Sequence, residues 1–391
     1  MKKKIIILGS TGSVGRSTLN IIKKDKKNFD IVLLSTNRNI NKLLKQAKEF
    51  KVKNVIIFDK KKYRENKLKL LKEKKIKVFN DLKSFNKKRK IKVDYTMSAI
   101  SGLSGLEPTL DSIKYTKRIA IANKESLICA WNLIEKKLKI YKTEFIPVDS
   151  EHFSIWSLIK NTKIELIDKI FITASGGPFL NMSINKLNKV TPKLAIKHPM
   201  WSMGKKISID SATMMNKIFE IIEAKKIFNV SLKKFKILIH PRSYVHSIVK
   251  LKNGLIKIMI HDTDMSIPIF NSLYDEKKKF NHTKEINFDV LNNLNFIDVD
   301  KNQFPVVNIL NNLPKKNSLY ETVIVSANDQ LVELFLNKKI KFVDISKRLQ
   351  KILNLKIFIK YKHILPKNLK QILKLNEFVR LKTKSLSVLS R

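Results

Sequence analysis

Thiols are almost absent from this 391-residue chain, in which Cys129 is the one cysteine. A lone thiol excludes an internal disulfide framework and suits a reducing compartment. No apolar run approaches the roughly 20 residues that cross a bilayer as a helix. The start passes from Met1 through three lysines into Ile5-Ile6-Ile7-Leu8, an apolar stretch too short for a signal peptide, and no small-residue cleavage site or transit segment accompanies it. A cytoplasmic protein with no membrane partner is therefore expected. Glycine and proline are few, at 9 and 10 residues, and no repeat or low-complexity tract appears beyond a general lysine enrichment. Acids are the other shortage: 33 Asp and Glu face 80 Lys and Arg, a net charge of +47. Such a charge points first to nucleic acid. The lysines, however, are spread along the whole chain, whereas a nucleic-acid module gathers its bases on one element between aromatics. Attraction of small anionic ligands at low salt is the stronger reading of the charge, and nucleic acid the weaker.

What is present suits two or three domains, each with a buried core, since 43% of the residues are hydrophobic. Residues 3–8 read as a short apolar strand, 13–24 as a helix, 30–36 as a second strand, 39–50 as a helix and 53–58 as a third strand. Further apolar runs fall near 76–79, 93–99 and 118–122. Strands alternating with helices imply a parallel, doubly wound sheet, so the expected class is α/β with a Rossmann-type domain over residues 1–149. Residues 150–285 are richer in Ser, His, Gly and Met and read as a central α+β domain. Residues 286–312 are Asn-rich with little periodicity and read as a linker. From Ser318 to the end helical periodicity dominates, through Val323, Leu331, Leu334, Ile345, Leu349 and Leu353, so 313–391 reads as a helical domain.

Gly9-Ser-Thr-Gly12-Ser-Val-Gly15 follows the first strand and opens the first helix. Such a turn lets a pyrophosphate approach the backbone and the free N–H groups of the helix start, although the same string also fits a plain tight turn. The second strand ends in Ser35-Thr36-Asn37-Arg38-Asn39, without the acid that would hold the ribose of NAD. A guanidinium there suits the extra phosphate of NADP, or is one more solvated base.

Asp149 and Glu151 stand two apart in Pro147-Val148-Asp149-Ser150-Glu151-His152, on one side of an extended segment. Neighbouring carboxylates raise each other's pKa unless a cation such as Mg²⁺ or Mn²⁺ neutralises them, though acid pairs on strands commonly just face solvent. The stretch Asp210 to Glu223 reads as one capped amphipathic helix, with Ser211 near its start and Asn216, Glu220 and Glu223 on one face. Met214, Met215, Ile218, Phe219 and Ile222 read as core. Ala174-Ser175-Gly176-Gly177-Pro178 is a hydroxyl-bearing turn able to form an anion nest. Residues 198–206, from His198 through an exposed-looking Trp201 to Lys206, suit a lid. His240 and His246 read as satisfied core histidines.

Together these strings resemble the deoxyxylulose-phosphate reductoisomerase family over essentially the whole chain. They run GSTGSVG, IANKES, PVDSEH, ASGGPF, HPMWSMGKKISIDSATMMNK with Glu220, IHPRSYVHS and SANDQLVELFL. The resemblance implies an NADPH-binding domain at 1–149, a catalytic and metal-binding domain at 150–285 with the lid, a helical domain at 313–391, and a homodimer. It implies Asp149, Glu151 and Glu220 as ligands of Mg²⁺ or Mn²⁺. Ser175, Ser211, Asn216 and Lys217 would hold the phosphate of the substrate, Ser150 and His198 its hydroxyl groups, and Trp201 and Met203 would cover it. Thr11, Gly12, Ser13, Val14, Asn37, Arg38, Asn39, Asn123, Glu125 and Gly204 would contact NADPH, with Lys124 between cofactor and substrate. Lys124, Asp149, Glu151, His198 and Glu220 are the expected catalytic set. The chain departs from the family at Asn37, where Gly is common, at Met200, where Asn is common, and at Ser266, where a basic residue is usual. Two competing functions stay open. A different NADP-dependent dehydrogenase would need no metal, and its semialdehyde type would need a catalytic cysteine, whereas Cys129 sits in an apolar, helix-like stretch. A basic nucleic-acid-binding protein would show steep salt dependence and no turnover.

Overall fold

The computed structural model describes residues 1–72, 76–87, 91–201, 203–274 and 285–388. Ser202, inside the stretch read as a lid, and 275–284, inside the stretch read as the catalytic domain, lie outside the described residues. The chain forms two compact units. The first gathers Met1–Ser126, Leu133–Asp149 and Met265–His282, the second Leu127–Asn132, Ser150–Asp264 and Thr283–Arg391.

In the first unit, β1 (Lys3–Leu8), β2 (Phe29–Thr36), β3 (Asn54–Ile57), β4 (Lys77–Phe79), β5 (Val93–Ser98), β6 (Thr116–Ile121) and β7 (Glu144–Pro147) form one sheet in the order β4-β3-β2-β1-β5-β6-β7. Every pairing in it is parallel. Parallel sheets are covered on both faces, which is why β1 carries the unbroken run Ile5 to Leu8, at most 1% exposed, instead of an alternating pattern. Each such side chain contributes about 1.5–3 kcal/mol on burial. Strand order reverses between β1 and β5, so the turn after β1 sits at the point where doubly wound sheets open a crevice. That turn leads into α1 (Ser13–Lys23). Gly9, at φ +79°, lies where a Cβ would come 2.6 Å from the carbonyl oxygen of Ala99, and a Cβ on Gly15 would come 2.4 Å from that of Gly9. Side chains at either position would push the turn off the sheet. α2 (Lys124–Tyr141) follows β6 and departs from helical angles at Ala130.

The second unit is built on β8 (Ile167–Ala174), β9 (Phe235–Ile239), β10 (Val245–Leu251), β11 (Ile256–Ile260) and β12 (Ile297–Asp298), in the order β11-β10-β8-β9-β12. β8 and β9 are parallel, and β10 runs antiparallel to both β8 and β11. α3 (Ser150–Ile159), α4 (Lys205–Ala212) and α5 (Met215–Phe228) carry most of the polar residues singled out above. A helix within the 150–285 stretch, α6 (Ser266–Leu273), falls with the first unit. There Ser272 Oγ bonds Tyr95 Oη at 2.7 Å, and the Tyr274 hydroxyl donates to Asp25 at 2.7 Å.

α7 (Tyr320–Leu336), α8 (Phe342–Leu353) and α9 (Leu369–Val388) close the second unit. α7 is buried on nearly all sides, and its Glu321 pairs with Lys226 of α5 at 3.1 Å, both side chains 2% exposed. The stretch read as a linker, 286–312, differs from that reading. It holds the short helix Phe288–Asn292, β12 and a 3₁₀ helix at Pro305–Asn312, with Phe304, Val306 and Ile309 buried. Elements this short give too few turns for periodicity to register. Among the described residues no helix is long and apolar enough to cross a membrane.

Candidate active site

The expected site residues divide between the units. In the first, Gly12 caps α1 with no side-chain hydrogen bond, and Ser13 stands exposed in the first turn beside half-buried Val14. Thr11 is tied to Thr36 by a 2.8 Å hydroxyl pair. Asn37 is exposed, and the Arg38 Nε–H donates to Asp59 at 2.8 Å from a side chain that is 76% exposed. That carboxylate, held below its ordinary range by the Lys62 N–H and then by Arg38, is a partner the sequence reading had not supplied. The Asn39 side chain accepts from the Lys42 N–H as a helix cap. Asn123 does the same for Ser126 at 2.6 Å while its amide donates to Gly102 O at 2.7 Å, so both ends are committed to local structure. Glu125 is buried, and Lys124, 8% exposed, sits 3.3 Å from Asp149 Oδ2.

Asp149 ends the Leu133–Asp149 segment of the first unit, and Ser150, next along the chain, begins α3. Glu151 therefore sits on the first turn of a helix and not on an extended segment as expected. The Ser150 hydroxyl donates to Glu151 Oε2 at 2.6 Å. A single helix from Asp210 to Glu223 is also not what forms. Met214 takes φ +68°, rare for a side-chain-bearing residue, and separates α4 from α5. Thr213 starts the break, since its hydroxyl bonds back to Ile209 O at 3.1 Å. The five residues read as core are buried. The break leaves Ser211 on the last turn of α4 and Asn216 and Lys217 on the first turn of α5, the end of a helix that favours anions.

Lys217 is the centre of the acid cluster. Its Nζ donates to Glu151 Oε1 at 2.6 Å and to Glu220 Oε2 at 2.7 Å, and Asn216 also donates to Glu220. Lys217 is 7% exposed and Glu220 fully buried. Burial alone would lower the lysine's pKa; Glu151 and Glu220 outweigh it and hold the group above its ordinary value, so it stays charged. The two carboxylates keep oxygens within 4.8 Å of one another. Oxygen donors gathered this closely about one cation are the donor set that a hard divalent ion takes.

His198 gathers the hydroxyls. Its Nε2 lies 3.0 Å from Ser175 Oγ and 3.1 Å from Ser211 Oγ, while its Nδ1 accepts the N–H groups of Met200 and Trp201 at 3.2 and 2.9 Å. Two donors on Nδ1 place the ring's proton on Nε2. Gly176 and Gly177, at φ +82° and +68°, turn the Ser175 loop, and a Cβ on Gly177 would come 3.0 Å from Ala212. A cleft of about 620 Å³ opens beside Ser175, lined also by Gly177, Leu180, Lys186, Pro199 and Pro241. Trp201 is half-buried, not exposed, and meets His246 edge-on at 6.1 Å, while Met200 and Gly204 are exposed.

Two histidine arrangements were not visible as site features in the sequence. His152 Nε2 bonds the backbone carbonyl of Glu220 at 2.9 Å and its Nδ1 stands 3.7 Å from Glu223, which braces α3 against α5. His246 stacks on His261 with centroids 3.7 Å apart. Burial, then the charge of Lys217, pushes His198 down to about 4; burial, then His261, pushes His246 down to about 3. Both rings thus contribute fully to stability above pH 6.5, and the contribution is lost as pH falls to about 4 for His198 and to about 3 for His246. In an NMR titration both should remain neutral at pH 5; a midpoint near 6.5 for either ring would contradict this packing.

Comparison with known proteins agrees in order and extent. Family models for 1-deoxy-D-xylulose 5-phosphate reductoisomerase match residues 5–131, for its C-terminal domain residues 145–228, and for the DXP reductoisomerase C-terminal domain residues 260–382. The 1-deoxy-D-xylulose 5-phosphate reductoisomerase of Pelagibacter ubique is 60% identical over 388 residues, 99% of this chain and 100% of that one. The reductoisomerase of Clostridium acetobutylicum is 38% identical over 90% of this chain and 92% of its own. The solved structure of the Zymomonas mobilis reductoisomerase in complex with NADPH matches with a TM-score of 0.87 and 34% identity over 99% of both chains. A second, of DOX-P reductoisomerase in complex with NADPH, fosmidomycin and magnesium, reaches 0.91 at 30% identity over 98% of both. Sequence motifs, sheet order and full-length relatives converge, and the chain belongs to the 1-deoxy-D-xylulose 5-phosphate reductoisomerase family.

Proposed function

We propose that the chain rearranges and reduces 1-deoxy-D-xylulose 5-phosphate to 2-C-methyl-D-erythritol 4-phosphate with NADPH and a divalent metal, in isoprenoid precursor biosynthesis by the non-mevalonate route. The observation that carries this reading is the Glu151–Lys217–Glu220 cluster beside the Ser175–His198–Ser211 trio. One group of residues suits a hard cation, the other the phosphate and hydroxyls of a sugar phosphate. Asp149, Glu151 and Glu220 would hold Mg²⁺ or Mn²⁺, and the uncapped turn before α1, with Arg38, would take NADPH. When bound, the metal polarises the substrate's oxygens and NADPH supplies hydride.

The chain's own residues orient the substrate. Ser175, Ser211, Asn216 and Lys217 fix the phosphate end, remote from the bonds that change, so binding energy there is spent on alignment. His198, neutral and protonated on Nε2, offers an N–H to an oxygen without adding charge. Ser150 positions a further hydroxyl, and Trp201 with Met203 excludes water from above. Lys124, 3.3 Å from Asp149, would stand between cofactor and substrate.

The test is NADPH oxidation with 1-deoxy-D-xylulose 5-phosphate. Turnover is expected with either metal and should fall at least about 100-fold in chelator. Folded protein inactive with both metals would sink the assignment. A semialdehyde dehydrogenase, which would need a catalytic cysteine, gains nothing from the structure, since Cys129 is fully buried. A homodimer and a cytoplasmic location are part of the same proposal, to be tested by light scattering and cell fractionation.

A further inference from the structure

The SANDQ string of α7 has no part in the reading above, yet it reaches the helix that carries Ser211. Asn328 donates its amide to Asp210 Oδ1 at 2.7 Å, and Asp329 Oδ1 lies 2.9 Å from Lys206 Nζ. The same ammonium is 3.1 Å from Asp210 Oδ2, one turn along α4, and stands 5.3 Å from the ring centroid of Phe219 on α5. Asp210 and Asn328 are 1% and 0% exposed. Both oxygens of Asp210 are thus engaged, and one cation joins α4, α5 and α7.

α4 has two loads. Its first residue follows Gly204, where the loop from His198 ends, and its last turn holds Ser211, which returns to His198 through the 3.1 Å contact. A rotation of α4 about its axis would move Ser211 and the end of that loop together. α4 itself is short, and its first turn lacks a side-chain cap. Helix α7 supplies the constraint: the Asn328 amide donates to Asp210 Oδ1, a charge-assisted hydrogen bond, and the Lys206 ammonium forms ion pairs with both Asp210 Oδ2 and Asp329 Oδ1.

We propose that Asn328, Asp329 and Lys206 are positioning residues for the phosphate end of the substrate, acting through Asp210 on the placement of Ser211. They touch no substrate themselves. Their loss weakens phosphate recognition and leaves the reacting end and the cofactor unaffected. The inference rests on Ser211 serving the phosphate, and that premise can fail separately.

The experiment uses steady-state kinetics of the full chain with inorganic phosphate as a competing probe. Asp329→Asn, at a side chain 15% exposed, keeps the shape and removes the charge. It should raise both KM for the sugar phosphate and the inhibition constant for inorganic phosphate about tenfold, with kcat within about threefold and KM for NADPH unchanged. Asp329→Glu should recover part of the loss. Lys206→Gln should give the same pattern at least as strongly, and the double variant should be no worse than Lys206→Gln, because losing the lysine already removes its pair with Asp329. Unchanged KM and phosphate inhibition in Asp329→Asn would overturn the proposal. So would kcat and NADPH KM deteriorating together with Tm, the mark of a merely structural contact, and so would additive effects in the double variant. Should Asp329→Asn fail to fold, Lys206→Gln and Asn328→Ala carry the same comparison. Ser211→Ala separates the premise: if it leaves KM and phosphate inhibition unchanged, the phosphate assignment itself falls and this inference with it.

Discussion

Glu220→Gln should reduce turnover on the order of 10³-fold while NADPH binding stays within about twofold of the unaltered chain. The side chain is fully buried and accepts from Asn216 on Oε1 and from Lys217 on Oε2, so an amide keeps the shape, removes the charge and turns one of the two acceptors into a donor. Loss of that charge weakens a divalent ion's hold and leaves Lys217 leaning on Glu151 alone of its two carboxylates. The nucleotide turn belongs to the other compact unit, on a sheet that Glu220 does not contribute to. Turnover is read by NADPH oxidation at saturating metal, and cofactor binding by NADPH fluorescence. A kcat within tenfold of normal would remove Glu220 from the metal's ligands.

Lys217→Met should have the larger effect on stability. With the ammonium gone, Glu151 and Glu220 face one another with oxygens within 4.8 Å and no fixed cation between them. Leaving buried charges unpaired in this way costs about 3–5 kcal/mol. In chelator the variant should therefore melt several degrees lower. Saturating Mg²⁺ should restore most of the loss, because the ion takes over the task the lysine performs, and should stabilise the variant more than it stabilises the parent. Turnover should fall as well, since the phosphate end loses its cation. Calorimetry with and without metal checks this. Equal stabilisation of both proteins by Mg²⁺ would mean that the metal binds elsewhere.

Much of the first unit was legible because its strands are buried on both faces. Unbroken apolar runs such as Ile5 to Leu8 mark the position of a parallel strand within a residue or so. The site was legible as a list and less so as an arrangement. The string from Asp210 to Glu223 has helical spacing throughout, and only the backbone angle at Met214 reveals two helices. Met does not announce a left-handed angle as Gly would. Asp149 and Glu151 suggested an extended pair because Pro147 ends a strand, whereas the helix begins immediately after Asp149. Arg38 looked available for a phosphate because its partner, Asp59, lies on another strand's loop 21 residues away. His152 and His261 escaped notice for the same reason: what makes each one matter is a carbonyl or a ring brought in by folding.

The return of Met265–His282 to the first unit has a consequence for synthesis. α6 packs beside α1, with Ile269, Phe270 and Leu273 in the same apolar core as Leu19 and Ile22. On a ribosome, the nucleotide sheet emerges early but lacks this cover until the Ser150–Asp264 part of the second unit has also been made. The part of the protein translated first is therefore the part whose core is completed late, and during that interval its exposed apolar face is a natural client for a chaperone.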